Sequence, residues 1–246
     1  MQVEMIDYTG RKTADPSDYA ANILIFSKST RLEMAPAMLD EIDSWPYSKK
    51  LAELRYMANT IPSSWEFVHY TFLIRGVTRA FTHQLVRTRT ASYAQQTMRI
   101  LDVSGWDYST GPTIDTPEKR GLYDGAMSYI DNTYKELIMR GVAVEDARGV
   151  LPTNIHTNIL VSASLRTLVE MVRKRSSPRT QGEYREFLGL LKDQMESVHN
   201  WTPLFFNRTQ DAAARDLDKE ILEIKDAEKR TRMIKLVDQL RSGGES

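Results

Sequence analysis

Residues 67–75 read FVHYTFLIR, and most of these side chains are β-branched or aromatic. Such side chains fit the pleated, half-buried surface of a sheet, so the stretch predicts a β-strand, which Gly76 ends. Residues 77–86 regain apolar side chains at helical spacing and predict a helix. Residues 87–99 hold neither period, and we expect a polar loop there. A strand and a helix therefore lead the chain directly into a polar loop.

Helical patterns account for most of the remaining chain. The first, over residues 19–54, is interrupted at Pro36 and at Trp45-Pro46, because proline lacks the backbone donor that a helix interior needs. Residues 102–117 are rich in turn-forming residues and predict a surface connection. The other helices are expected over residues 118–140 (ended by Gly141), 144–150, 153–172 (long and largely buried), 182–198 and 211–240.

These elements predict a fold of the α/β class, in the α+β sense, with helices packed on a small, mostly antiparallel sheet. The length of 246 residues and the uniform composition favour one domain over residues 1–210. A charged helical extension is expected over residues 211–246.

The composition excludes several classes of function. Cysteine is absent, which rules out cysteine nucleophiles and thiolate metal sites. The 33 basic residues balance 33 acidic residues, so no overall field would attract a nucleic acid polymer. Residues 1–10 lack the basic and apolar blocks of a signal peptide, and no apolar stretch reaches the length of a membrane span. We therefore expect a cytoplasmic protein with neither a membrane nor a nucleic acid partner.

The densest polar cluster is QLVRTRTASYAQQTMR, residues 84–99. Three arginines and three glutamines lie there without an acidic residue. Guanidinium groups match phosphate oxygens bidentately, while amides and hydroxyls can read the edge of a base. A solvated basic loop is the simpler alternative. The interleaved Tyr93 and Met98 favour a binding site.

A second basic cluster comprises Arg166, residues 173–175, Arg179 and Arg185. Basic residues complement the dipole at a helix C-terminus, and this explanation is equally good. Arg166, however, lies inside an apolar segment, where it needs either Glu170 one turn on or a bound anion. The four histidines share no metal-ligand spacing, so we expect no metal site.

Several motifs, in matching order along the chain, carry a family resemblance. They are SSWEF at residues 63–67, GVTRAFTHQLVRTRTASYAQQTMR at residues 76–99, DARGVLP at residues 146–152, and Arg175 with Gln181, Glu183 and Arg185. On these residues the chain resembles the ThyX family, the flavin-dependent thymidylate synthases, from about residue 19 to residue 206.

The resemblance implies a homotetramer that holds FAD between its subunits and methylates C5 of dUMP. In that family methylenetetrahydrofolate supplies the carbon and reduced flavin supplies the hydride, with NADPH as the expected reductant. No enzyme nucleophile is required, which agrees with the absence of cysteine.

The family's functional positions can be carried over residue by residue. Arg175 would be the catalytic group, facing the pyrimidine, favouring its ionised form and polarising the C5–C6 bond. Arg99 and Arg148 would serve the phosphate. The implied substrate-binding residues are Gln84, Arg87, Gln95, Gln96, Thr97, Met98, Arg99, Arg148 and Arg175. The implied cofactor-binding residues are Ser63, Arg87, Thr88, Arg89, Gln95, Ser164, Arg166 and Glu170.

The chain departs from the family pattern mainly where the flavin or the folate would bind. Thr88 replaces the histidine of an Arg-His-Arg motif, and Ile100 replaces an aromatic residue. Ser164 stands in place of asparagine, and Glu170 in place of asparagine or histidine. The Glu170 carboxylate would oppose a reduced, anionic flavin unless Arg166 neutralises it.

Two alternatives therefore stay open beside dUMP methylation. One is an enzyme of the same fold with a changed substrate or product, such as UMP or dCMP as acceptor, or hydroxymethylation of C5. The other is a nucleotide-binding homologue without catalysis.

Overall fold

The computed structural model describes residues 1–29, 34–175 and 180–206, together with Ile221, Lys229, Thr231 and Met233, which are helical. These residues form two compact units. The first comprises Met1–Asp7, Tyr70–Ala163 and Arg175–Leu191, and the second comprises Tyr8–His69, Ser164–Lys174 and the described residues from Lys192 onward. One domain up to residue 210 stays a prediction, and the predicted helical extension lies outside the described residues, those four positions excepted.

A four-stranded antiparallel sheet organises the first unit. Its strands are β1 (Gln2–Tyr8), β2 (His69–Thr78), β3 (Ser92–Gln95) and β4 (His156–Ser164), in the order β1-β2-β4-β3. Together with the helices, this sheet confirms the predicted α/β fold class.

β2 forms where the sequence predicts a strand, because alternate side chains are buried. Tyr70, Phe72 and Ile74 are fully buried, as period-two spacing requires for one face of a sheet. The prediction that Gly76 ends the strand is wrong, since β2 continues to Thr78. Gly76 has a φ of 65°, a left-handed conformation that favours glycine.

The prediction of a long buried helix over residues 153–172 is wrong for the first half of that range. The chain forms β4 there and only then α7 (Leu165–Arg175). Buried and half-buried residues alternate along β4, which is the period of a strand. The sequence hides this alternation because the half-buried position 160 is also apolar, so that helix and strand patterns are hard to separate.

The prediction of a loop over residues 87–99 is wrong at the centre of that range, where β3 forms and pairs antiparallel with β4. Ser92 lies opposite Ser162, and Gln95 lies opposite Ile159. A strand of four residues carries too little pattern to be recognised, and its pairing with a buried neighbour provides the backbone partners that stabilise it.

The helices of the first unit begin and end at recognisable caps. The Thr78 hydroxyl accepts a hydrogen bond from the Phe81 N–H (3.0 Å) and so caps α4 (Arg79–Leu85). Thr116 caps α5 (Pro117–Met139), and Gly141, with a φ of 81°, ends it as predicted. The chain then forms α6 (Val144–Ala147) and a 3₁₀ turn (Arg148–Val150), which together occupy the range where the sequence predicts a short helix.

The second unit is helical in its described parts. Helices begin at Pro36 and just after Pro46, so the predicted interruptions are confirmed. Trp65 and Trp201 both pack edge-on against Phe205, with ring centres 5.2 and 5.5 Å apart, and they form the aromatic core of this unit. Besides most of α7 and the end of α8 (Gly182–Val198), its elements are α1 (Pro16–Lys28), α2 (Pro36–Asp43), α3 (Tyr47–Thr60), a 3₁₀ segment (Pro62–Phe67) and α9 (Pro203–Phe206).

α8 (Gly182–Val198) has the predicted bounds. Among the described residues, no helix combines the length and the apolar character that crossing a bilayer would require.

Candidate functional site

The polar stretch after α4 is held in place by one tyrosine. The Tyr93 hydroxyl lies 2.9 Å from the carbonyl oxygens of both Leu85 and Thr88, which accept hydrogen bonds from it. Burial raises the pKa of Tyr93 to about 12, although a hydrogen bond with the side chain of Thr88 opposes the shift. The turn that carries the arginines is therefore pinned to the edge strand β3.

The three predicted glutamines all have polar partners within the first unit. The Gln84 amide donates to the side-chain oxygen of Gln181 (2.9 Å), and the Gln95 amide donates to the Thr82 hydroxyl (3.0 Å). The Asn158 amide, on β4, donates to the side-chain oxygen of Gln96 (3.0 Å). These bonds orient the amides from α4 and β3.

Arg87 and Arg89 lie on the turn between α4 and β3 and are exposed. Neither pairs with a carboxylate among the residues that the structure describes. Thr88, between them, accepts a hydrogen bond from the Tyr93 hydroxyl with its backbone carbonyl. The two guanidinium groups are positioned to bind an external anion.

A cavity of about 420 Å³ lies in the first unit, lined by residues of α4 and of the α6 region. Met98, which is 8% exposed, and Arg148 are the predicted site residues that line it. Its volume is within the usual range for small-ligand sites. The other lining residues are Arg79, His83, Glu145, Gly149, Leu151, Pro152, Thr153 and Ile155.

Glu145 links both predicted phosphate ligands. Its carboxylate accepts a hydrogen bond from Arg99 Nε (2.9 Å), and its backbone carbonyl accepts one from Arg148 Nε (3.1 Å). The Thr97 hydroxyl accepts from the Arg99 N–H (3.1 Å) and shapes the turn before it. Arg99 and Glu145 are both largely exposed, so an incoming anion can replace this ion pair at little cost.

Arg79 is a cavity residue that the sequence reasoning missed. It is the first residue of α4, and its Nη1 atom is buried without a hydrogen-bond partner in the described part of the chain. Burial and the charge of Arg148 together lower the pKa of Arg79. Glu145 was also missed, since nothing in the sequence separates it from ordinary surface carboxylates.

Arg175, the predicted catalytic residue, ends α7 and does not line the cavity. Its guanidinium carbon lies 5.5 Å from the centre of the Tyr184 ring, which is within cation–π distance. Arg179 lies outside the described residues.

Three predicted flavin residues meet in the second unit. Ser164 donates to Glu66 Oε2 (2.8 Å), and Arg166 pairs with both Glu66 (3.3 Å) and Glu170 (3.2 Å). Burial raises the pKa of Glu170, but the hydrogen bond from Arg166 and the charge of Lys174 outweigh it, so the pKa is lowered. Glu170 is therefore ionised at neutral pH.

This arrangement answers the question that the sequence raised about Arg166. Glu170 is its partner one helical turn on, as expected. The expectation of a buried arginine is wrong, because the Arg166 side chain is 40% exposed at the start of α7. Ser63, also predicted here, is exposed in the 3₁₀ segment. The predicted flavin residues thus fall in both units, whereas all the predicted nucleotide residues lie in the first.

Comparisons with known proteins agree with these motifs. Residues 5–203 match the family described as thymidylate synthase complementing protein. A protein of Nitratidesulfovibrio vulgaris named flavin-dependent thymidylate synthase is 32% identical over 194 residues, which cover 73% of this chain and 78% of that protein. Proteins of the same name from Geobacter sulfurreducens and Sulfolobus acidocaldarius are 37% and 39% identical over 134 residues.

These last two matches cover 52% and 53% of this chain, and 58% and 50% of the Geobacter and Sulfolobus proteins. The chain thus spans about half the length of those two relatives. The family match, in contrast, runs through both units and through every motif quoted above. On that match, the chain belongs to the thymidylate synthase complementing protein family.

Proposed function

We propose that this protein is a flavin-dependent thymidylate synthase that converts dUMP to dTMP, with methylenetetrahydrofolate as the carbon donor. The observation that carries this proposal is the pinned turn after α4, where Arg87 and Arg89 are exposed and lack carboxylate partners among the described residues. The 420 Å³ cavity of the same unit adds Arg148 and Met98, a cation and an apolar wall of the kind that a nucleotide needs.

The residues present suit an anionic dinucleotide. FAD carries a pyrophosphate, and the uncompensated guanidinium groups of Arg87 and Arg89 are suitable donors for it. Ser63, Thr88, Gln95, Ser164, Arg166 and Glu170 are the remaining residues proposed to hold FAD. When bound and reduced, FAD supplies the hydride that completes the methyl group.

The protein's own contribution is proposed to be binding and polarisation. Arg175 stabilises negative charge on the pyrimidine and makes C5 the nucleophile toward the one-carbon unit. Gln84 and Gln95 are held by Gln181 and Thr82, so their orientation requires no rearrangement when the base binds. Arg99 exchanges Glu145 for the phosphate of the nucleotide.

The homotetramer with sites between subunits, the use of NADPH and the cytoplasmic location are further parts of this proposal. Light scattering after size-exclusion chromatography gives the subunit number directly. A monomer in the presence of FAD would contradict shared sites.

The first experiment is the visible absorption spectrum of the purified protein with FAD, followed by titration with dUMP. We expect bound flavin whose spectrum shifts when dUMP is added, and then dTMP formation with methylenetetrahydrofolate and NADPH. Arg175→Ala should retain the spectral shift but lower kcat by about 100-fold or more, the size of effect seen when a charge-stabilising group is lost. Unchanged turnover would remove Arg175 from the chemistry.

A second candidate function is favoured by the carboxylates around Arg166. Arg166 and Lys174 already pair with Glu66 and Glu170, so both cations are compensated and would attract an anionic reduced flavin less strongly. A changed acceptor (UMP or dCMP) or a hydroxymethyl product is consistent with altered handling of the flavin. Product analysis by mass spectrometry with each nucleotide separates these cases from dUMP methylation. Nucleotide binding without any flavin binding would indicate the non-catalytic homologue.

A further inference from the structure

The start of α4 holds Arg79 at the wall of the 420 Å³ cavity. Its N–H donates to the carbonyl of Ile155 (3.1 Å), and the next N–H, of Ala80, donates to the carbonyl of Thr153 (2.8 Å). The Thr78 hydroxyl caps the same turn. Because backbone groups on both sides are bonded, the Arg79 backbone is fixed, and the direction of its side chain is restricted.

The Arg79 side chain is half-buried, but one of its guanidinium nitrogens lacks the partner that a buried donor requires. Nη1 is buried, and no described residue accepts a hydrogen bond from it. An unpaired buried donor costs free energy, and more when it is charged. An arginine kept only for the fold would be expected to pair with a carboxylate or a carbonyl. The unsatisfied Nη1 therefore points to a ligand that brings its own acceptor.

The charges around the cavity specify an anion. Arg79 and Arg148 both line it, and each charge destabilises the other, as the lowered pKa of Arg79 reflects after the larger effect of burial. Of the described lining residues, Glu145 is the one carboxylate, and it already pairs with Arg99. The cavity wall thus carries an excess of positive charge and at least one free donor.

We propose that Arg79 is a phosphate-binding residue, whose Nη1 donates to the dianionic phosphomonoester of the substrate beside Arg148. A guanidinium suits this role because its planar donors match two phosphate oxygens at once. The inference rests on the proposed function only for the identity of the nucleoside attached to that phosphate. It adds a residue on α4 to a phosphate site otherwise built from Arg99 and Arg148.

The test compares ligands with and without the phosphate. Calorimetry would measure the affinities of the wild-type protein and of Arg79→Gln for dUMP and for deoxyuridine, and ³¹P NMR would follow binding of inorganic phosphate. We expect Arg79→Gln to weaken dUMP binding by about 10- to 100-fold, the range for one hydrogen bond to a charged group. Deoxyuridine binding should be unchanged, and phosphate binding should weaken.

The matched control is Arg75→Gln, which removes an exposed arginine on β2 that pairs with Glu4 and does not line the cavity. It should leave all three affinities unchanged. If Arg79→Gln fails to fold, Arg79→Lys keeps the charge but loses the planar fork, and it should weaken dUMP binding without affecting deoxyuridine.

The possible outcomes separate this inference from the proposed function. Equal losses for dUMP and deoxyuridine, or no loss for dUMP, would overturn the phosphate role of Arg79. A wild-type protein that binds inorganic phosphate through Arg79 but binds neither dUMP nor deoxyuridine would support the inference and contradict the proposed function. A wild-type protein that binds neither phosphate nor dUMP would overturn both.

Discussion

Glu183 links the first turn of α8 to the start of α4 by hydrogen bonds. Its removal should therefore lower the stability of this part of the fold. Its two carboxylate oxygens accept hydrogen bonds from the N–H (2.8 Å) and the hydroxyl (2.6 Å) of Thr78. Thr78 is 4% exposed, so water cannot easily replace a lost partner. The same hydroxyl caps α4, and α4 carries Gln84.

The expected magnitude follows from these bonds. A hydrogen bond to a charged group contributes about 1.5–3 kcal/mol. The two bonds share one carboxylate and one residue, so their contributions will not add fully. We expect Glu183→Ala to lower the free energy of unfolding by about 2–4 kcal/mol. Glu183→Gln keeps an acceptor for the Thr78 N–H but loses the charge, and it should cost about 1 kcal/mol.

Urea unfolding, followed by circular dichroism, measures these differences as shifts of the midpoint at constant slope. Glu186→Ala is the control, because Glu186 lies on the same helix and is exposed. It should change the free energy of unfolding by no more than about 0.5 kcal/mol. If Glu183→Ala unfolds at the same midpoint as Glu186→Ala, the bonds to Thr78 do not stabilise this unit.

Three other side chains lead to predictions. Burial lowers the pKa of His199 to about 4, whereas the unfolded value is about 6.5, so the unfolded chain takes up the proton first as pH falls. The stability that the neutral ring contributes is present above about pH 6.5 and is lost as the pH falls toward about 4. His199→Gln should therefore remove about 3 kcal/mol of the pH dependence of the free energy of unfolding, measured in urea. Parallel pH profiles of the wild-type protein and the variant would contradict this. Lys50, whose side chain is 2% exposed, pairs with Asp18 (2.6 Å). Lys50→Met should lower the free energy of unfolding by about 3 kcal/mol, the low end for a broken buried pair, because Asp18 is partly exposed. An unchanged midpoint of urea unfolding would show that the pair is dispensable. Tyr93→Phe removes one hydroxyl donor that two carbonyls share. It should lower the free energy of unfolding by about 1–2 kcal/mol, measured by thermal unfolding. An unaltered melting temperature would mean that other contacts hold the turn.

Much of the fold could be predicted from local patterns. β2 shows alternate burial at Tyr70 and Phe72, and α8 has amphipathic spacing, so period alone identifies both. β4 could not be identified in this way, because it pairs on both sides and its side chains are apolar on more than one face. β3 depends on β4 for its hydrogen bonds, and pairing between positions 92 and 162 leaves no local signal.

Residues of the candidate site also differ in whether the sequence alone can identify them. The arginines of the turn after α4 could be found because no acidic residue accompanies them in sequence. Arg79 could not, because its importance comes from a buried atom without a partner and from Arg148, which is 69 positions away in sequence (148 − 79). The pairing of Arg166 with Glu66 is also non-local, and only the i,i+4 partner Glu170 is visible in the sequence.

The short edge strand β3 has a consequence for how this protein can vary. Tyr93 and Gln95 lie on its half-buried side, whereas Ser92 and Ala94 are exposed. Inserting one residue between the turn and β3 would reverse these sides, so that Ala94 would replace Gln95 as the neighbour of Thr82. A change of two residues would restore the pairing. We expect nucleotide binding to tolerate insertions of two residues in this turn, and single-residue insertions to abolish binding while leaving the sheet intact.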